Sequence, residues 1–293
     1  MAETSLDQKE VSRLQWHILG EICFAFGFSR TGLARKVIGP LFTLPARHFA
    51  RIVARYQAMV PQIGFGLTAR EALPDFNSRV TIRGEDRVPA EGPLIIASNH
   101  IGGVDTLAVA SCVLRPDLKI MVSDVGFLRS MSIADDSFIF VPLDARGRMA
   151  ALHQAIQYLQ AGGAVLVFAH GEVEPDPVVL TGARASLEEW SPSLEIMLRK
   201  VPSAQLQIAI MSGAIHPLFM RHPLVRLRKT LFARQKLAEF LQIMQQMIFP
   251  SSLETHIRVS LSKPMGIAEL GAGHIMPAII QRAQSLLDEH LQT

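Results

Sequence analysis

Seven short apolar runs, separated by stretches of helical periodicity, set the strongest limit on how this chain folds. The runs lie at 80–82, 94–97, 118–122, 138–141, 164–169, 206–211 and 256–261. Between them are helix candidates such as 149–160, where Leu152, Ala155, Ile156 and Leu159 share a face. A last amphipathic helix at about 276–291 presents Ile279, Ile280, Ala283, Leu286, Leu287 and Leu291. Strands alternating with helices predict an α/β domain with a mostly parallel central sheet flanked by helices. At 293 residues and 49% hydrophobic, the chain can bury a sizeable core as one large domain or a domain with an appendage.

Before the first run the pattern differs. Residues 12–60 read as helical segments broken at Gly32, Gly39-Pro40 and Pro45. Over 47–59, Phe49, Ile52, Val53, Tyr56 and Met59 fall on one face. This divides the chain into an N-terminal basic, amphipathic helical region, 1–76, and a catalytic domain, 77–293.

The net charge is only +3, but it is unevenly placed. Residues 11–70 hold eight Lys/Arg against one acid, Glu21, and the cluster Arg221, Arg226, Arg228, Lys229, Arg234 and Lys236 holds none. Interleaved with Trp16, Phe24, Phe26, Phe28, Phe42 and Phe49, this charge points to an anionic membrane surface. An ordinary solvated face fits the same pattern. Nucleic acid is not expected as a partner, since no recognition motif accompanies the charge. The start of the chain is polar and acidic, unlike a secretory signal. No stretch supplies the roughly 20 mostly apolar residues of a membrane span. Cys23 and Cys112 lie far apart and read as reduced, small apolar residues. A cytoplasmic protein held peripherally on the inner face of a membrane is the expectation.

The chemistry concentrates at Asn99-His100-Ile101-Gly102-Gly103-Val104-Asp105, which follows the second apolar run. A strand delivering a histidine into a Gly-Gly turn, with a carboxylate opening the next helix, is a base-and-orienter arrangement. The imidazole can take a hydroxyl proton while the carboxylate fixes its tautomer. The same spacing also suits a surface histidine and a helix-capping aspartate. Other chemistries find no motif. Gly64-Phe-Gly66-Leu-Thr-Ala69 fits a dinucleotide pattern but follows no strand, and reads as a loop. There is no Walker A sequence, H-E-x-x-H or G-x-S-x-G elbow. Of the remaining histidines, His216 beside Pro217 is the better candidate for site lining.

Four blocks together resemble the glycerolipid acyltransferase family, which includes the lysophosphatidate and glycerol-3-phosphate acyltransferases. They are Glu91-Gly92-Pro93 through Asp105, Phe138-Ile-Phe140 through Arg148, Leu159-Gln-Ala-Gly162-Gly163 through Glu172, and Gln207 through Ile215. The resemblance covers roughly residues 77–262 and rests on the order and spacing of the blocks. It implies His100 as general base and Asp105 as its orienting carboxylate. It also implies direct transfer from acyl-CoA or acyl carrier protein to a hydroxyl of a glycerolipid-type acceptor, such as lysophosphatidate or glycerol-3-phosphate. No cofactor is implied beyond that thioester co-substrate, and no metal.

Asn99, Gly103, Arg146, Arg148, His170, Gly171 and Glu172 are the implied substrate-binding positions, with a nearby backbone N–H as oxyanion donor. The third block departs from the family's Phe-Pro-Glu-Gly-Thr-Arg. Here Ala169 and His170 replace its proline and glutamate, and Val173 stands at the arginine position. Arg146, with Arg148 nearby, is left alone to grip a phosphate, and Glu172 is a candidate for the missing carboxylate. A phosphate-free lipid acceptor, a thioester or ester hydrolase, and a non-catalytic lipid-binding member of the fold stay open.

Overall fold

The computed structural model describes residues 7–25, 28–249, 252–271 and 273–292; Phe26 and the first six residues lie outside them. Each apolar run forms a strand: β1 (Ser78–Arg83), β2 (Leu94–Ser98), β3 (Leu118–Ser123), β4 (Phe138–Val141), β5 (Ala164–Phe168), β6 (Gln205–Ser212) and β7 (Thr255–Leu261). They make one sheet in the order β1-β7-β6-β2-β5-β3-β4. All neighbours are parallel except β6 and β7. Eight helices of six residues or more accompany it among the described residues: α1 (Gln8–Ala25), α2 (Leu33–Ile63), α3 (Phe65–Ala72), α4 (Asp105–Ala110), α5 (Ala145–Gln160), α6 (Ser193–Lys200), α7 (Leu231–Ile248) and α8 (Ile275–Leu291).

The central strand β2 is buried along its whole length. Successive side chains point to opposite faces, so Ile95 and Ala97 join α5, α6 and α8 in one core. Leu94 and Ile96 join α3, α4 and the second half of α2 in the other. Covering on both faces is why this strand is written as an unbroken apolar run. Each of its buried leucine and isoleucine side chains contributes about 1.5–3 kcal/mol.

The N-terminal region departs from expectation at two places. Helix α2 runs through Pro40 and Pro45 without ending. Each proline removes one intrahelical bond. Burying Ala46, Ala50 and Val53 against Val11, Leu14, Ile18 and Ile22 of α1 outweighs that loss. The Gly64–Ala69 stretch is not a loop but the start of α3, with Phe65 and Ala69 in the sheet's core. Ile52 of α2 enters the same core.

Because β2, β5 and β6 are parallel, their C-terminal ends lie along one edge of the sheet. The chain order reverses at β2, and a crevice at such a reversal is where open α/β sheets place ligands. His100 emerges there.

Candidate active site

Asp105 opens α4 with its side chain buried, and its Oδ2 accepts a hydrogen bond from His100 Nδ1. The same oxygen accepts the backbone N–H groups of Ile101 (3.0 Å) and Gly102 (3.2 Å). A carboxylate so engaged is an acceptor, so Nδ1 carries the proton and Nε2 keeps its lone pair. The His100 ring lies beside Phe168 at the end of β5, with centroids 4.8 Å apart. Burial pulls the His100 pKa down, but Asp105, by charge and hydrogen bond, and the charges of Glu239 and Glu174 together hold it above the ordinary 6.5.

Two carboxylates that sequence reasoning missed complete the surroundings. Glu174 is buried, and its Oε2 accepts the His100 backbone N–H at 2.8 Å. Its Oε1 takes Ser186 Oγ (3.1 Å) and Trp190 Nε1 (3.2 Å). Burial raises its pKa against the pull of these donors and of His170. Glu239, on α7, accepts the Gly103 N–H. Burial pushes its carboxyl up to about 7, against that hydrogen bond.

The other expected site residues divide. Asn99 turns away from the crevice: its amide donates to Met211 O (2.9 Å) and accepts from Met211 N–H (2.8 Å), tying β2 to β6. His170 follows β5 and meets Glu189 through Nε2 at 3.4 Å; its Nδ1 is buried without a partner among the described residues. Gly171 takes a left-handed φ of 80° in the turn after it. Glu172 is exposed, and Glu174 is the third-block carboxylate that reaches His100. Arg146 and Arg148 are exposed in the first turn of α5, and Arg148 bonds Leu143 O. They follow β4, the edge strand, three positions from β2, or about 14 Å at the usual strand spacing. The sheet therefore does not bring these arginines beside His100. His216 caps a short helical turn, its Nδ1 accepting the Leu218 N–H at 3.2 Å.

Both cysteines are buried, and burial pushes the Cys112 thiol up to about 12. The arrangement suits a base that removes a proton from a bound hydroxyl.

Residues 79–215 match the family model described as Acyltransferase. Among solved structures, the crystal structure of the 1-acyl-sn-glycerophosphate (LPA) acyltransferase PlsC from Thermotoga maritima is similar at 12% identity and a TM-score of 0.48, over 97% of this chain and 98% of that one. No curated protein sequence matches the chain.

Proposed function

We propose that this chain, whose residues 79–215 match the Acyltransferase family model, is an acyltransferase that moves a fatty acyl group from acyl-CoA or acyl carrier protein to a hydroxyl of a glycerolipid-type acceptor. The hydrogen bond between His100 and buried Asp105 at the end of β2 carries this reading. His100 Nε2 takes the acceptor's hydroxyl proton as its oxygen bonds to the thioester carbonyl carbon. The tetrahedral oxyanion collapses, the carbon–sulfur bond breaks, and the thiolate leaves with the proton. No acyl-enzyme is needed, in keeping with the inert cysteines. Free-thiol release from a long-chain acyl-CoA, with and without acceptor, tests it. Release that requires acceptor supports the transferase. Equal release without acceptor points to a hydrolase, and none with any acyl thioester removes the reading.

The base must be neutral to act, and its pKa lies above 6.5. Transfer is therefore expected to fall as pH drops through an acid limb centred above 6.5. A kcat/KM profile with its midpoint below that value would contradict the assignment of His100 as the titrating base.

An anionic bilayer is the proposed docking partner. Leu33, Val37, Leu41 and Leu44 recur along α2, each at least 73% exposed, and a groove of about 470 Å³ beside them is edged by Arg47, His48 and Arg51. The basic character is smaller than the sequence suggests, because Arg13, Arg30, Arg55 and Arg70 are paired with Glu10, Glu21, Asp75 and Glu85. Apolar contact should then dominate. Leu41→Ser with Leu44→Ser is expected to weaken binding to anionic vesicles at least about tenfold with helicity unchanged. Vesicle sedimentation indifferent to both substitutions would exclude this face.

A further inference from the structure

Helix α7 lies beyond the residues that match the family model, yet it reaches the centre of the site. One face of it is polar and clamped to the catalytic loops. Gln235 Nε2 donates to Ile101 O (2.8 Å) and Glu174 O (2.7 Å). Gln242 bonds Ala214 O and the His216 N–H, both at 2.8 Å. Glu239 stands between them on the same face, so its position is fixed from both sides.

Its Oε1 fills the space that the missing side chains of the Gly-Gly turn leave. A Cβ on Gly102 would stand 2.6 Å from that oxygen, and one on Gly103 3.1 Å. The carboxylates around His100 differ in what they have left to offer. Both oxygens of Glu174 are engaged, and Asp105 Oδ2 already accepts three donors. Glu239 Oε1 holds Gly103, while its Oε2 has no partner among the described residues.

Resting on the transferase reading above, we propose that Glu239 is a specificity-determining residue whose free oxygen receives a hydrogen-bond donor of the acceptor's head group. The acceptor presented to His100 is then a lipid with a phosphate-free, hydroxyl- or amine-bearing head group. A phosphate ester would bring negative charge against Glu239 and Asp105, a like-charge approach that is strongly disfavoured. The arginines that would offset it sit at the far edge of the sheet.

The test compares kcat/KM for thiol release from palmitoyl-CoA with monoacylglycerol and with lysophosphatidate, in wild type and Glu239→Gln. Wild type is expected to favour monoacylglycerol by about tenfold or more. Glu239→Gln is expected to narrow that ratio to about threefold or less, chiefly through a lower KM for lysophosphatidate. A wild-type preference for lysophosphatidate, or a ratio that Glu239→Gln leaves unchanged, overturns the inference while transfer itself stands. Release that ignores both acceptors overturns the transferase reading and this inference with it.

Discussion

Replacing His100 with alanine is expected to lower acceptor-dependent thiol release by about 10²–10⁴-fold, with the fold retained. That loss corresponds to about 3–5 kcal/mol of transition-state stabilisation. The side chain can be removed cheaply. Its ring stacks beside Phe168 and is 29% exposed, while the backbone bonds that fix the loop, from His100 N–H to Glu174 and from Glu174 N–H to His100 O, do not involve it. Asp105→Asn should reach a similar loss, up to about 10⁴-fold in comparable histidine–aspartate pairs, because an amide can donate to Nδ1 and leave the proton on Nε2. It should also soften the turn, since Oδ2 holds the Ile101 and Gly102 N–H groups. Steady-state kinetics beside thermal denaturation separates the two: His100→Ala loses rate alone, Asp105→Asn loses rate and melting temperature. A His100→Ala enzyme that keeps more than about a tenth of the wild-type rate would remove His100 from the role of base.

The sheet was legible because its central strands β2, β5 and β6 bury both faces and so spell continuous apolar runs. The pair His100 and Asp105 was legible because both lie within one turn of chain, where spacing alone fixes geometry. Strand order is not local. Nothing along the chain tells that β4 ends at the sheet's edge while β2 sits at its centre, so the separation of Arg146 and Arg148 from His100 was not legible. Helix α7 escaped for a different reason. Its apolar residues, Leu237, Phe240, Leu241, Ile243, Met244 and Met247, pack onto the cores, but the side chains that reach the catalytic loops are Gln235 and Gln242, which an apolar period does not single out. Glu239 hides among these side chains that hold backbone amides and carbonyls. The prolines of α2 misled in the opposite sense, because a local penalty was read without the α1 surface that offsets it.

Glu174 should prove the most structurally demanding residue of the site. Truncation to alanine strands three donors, the His100 N–H, Ser186 Oγ and the buried Trp190 Nε1. A buried donor left unmade costs about 1–3 kcal/mol, and Ser186 retains a second bond to Ala183 O. Glu174→Ala is therefore expected to destabilise the protein by about 2–5 kcal/mol and to lower kcat, because the loop carrying His100 loses its anchor. Glu174→Gln keeps one acceptor and should fall between alanine and wild type. The pH dependence has a definite sign. The folded-state pKa of Glu174 is raised above 4.5 by burial, so the unfolded chain releases this proton first and the group's contribution declines as pH rises from 4.5 through the folded value. The stability gap between wild type and Glu174→Gln should accordingly be widest below pH 4.5 and shrink above it. Urea titrations of the three proteins across this range measure the gap directly. A Glu174→Ala variant as stable as wild type would show that these three donors find other partners. A gap that widens with pH would mean that the buried carboxylate is stabilised in its charged form.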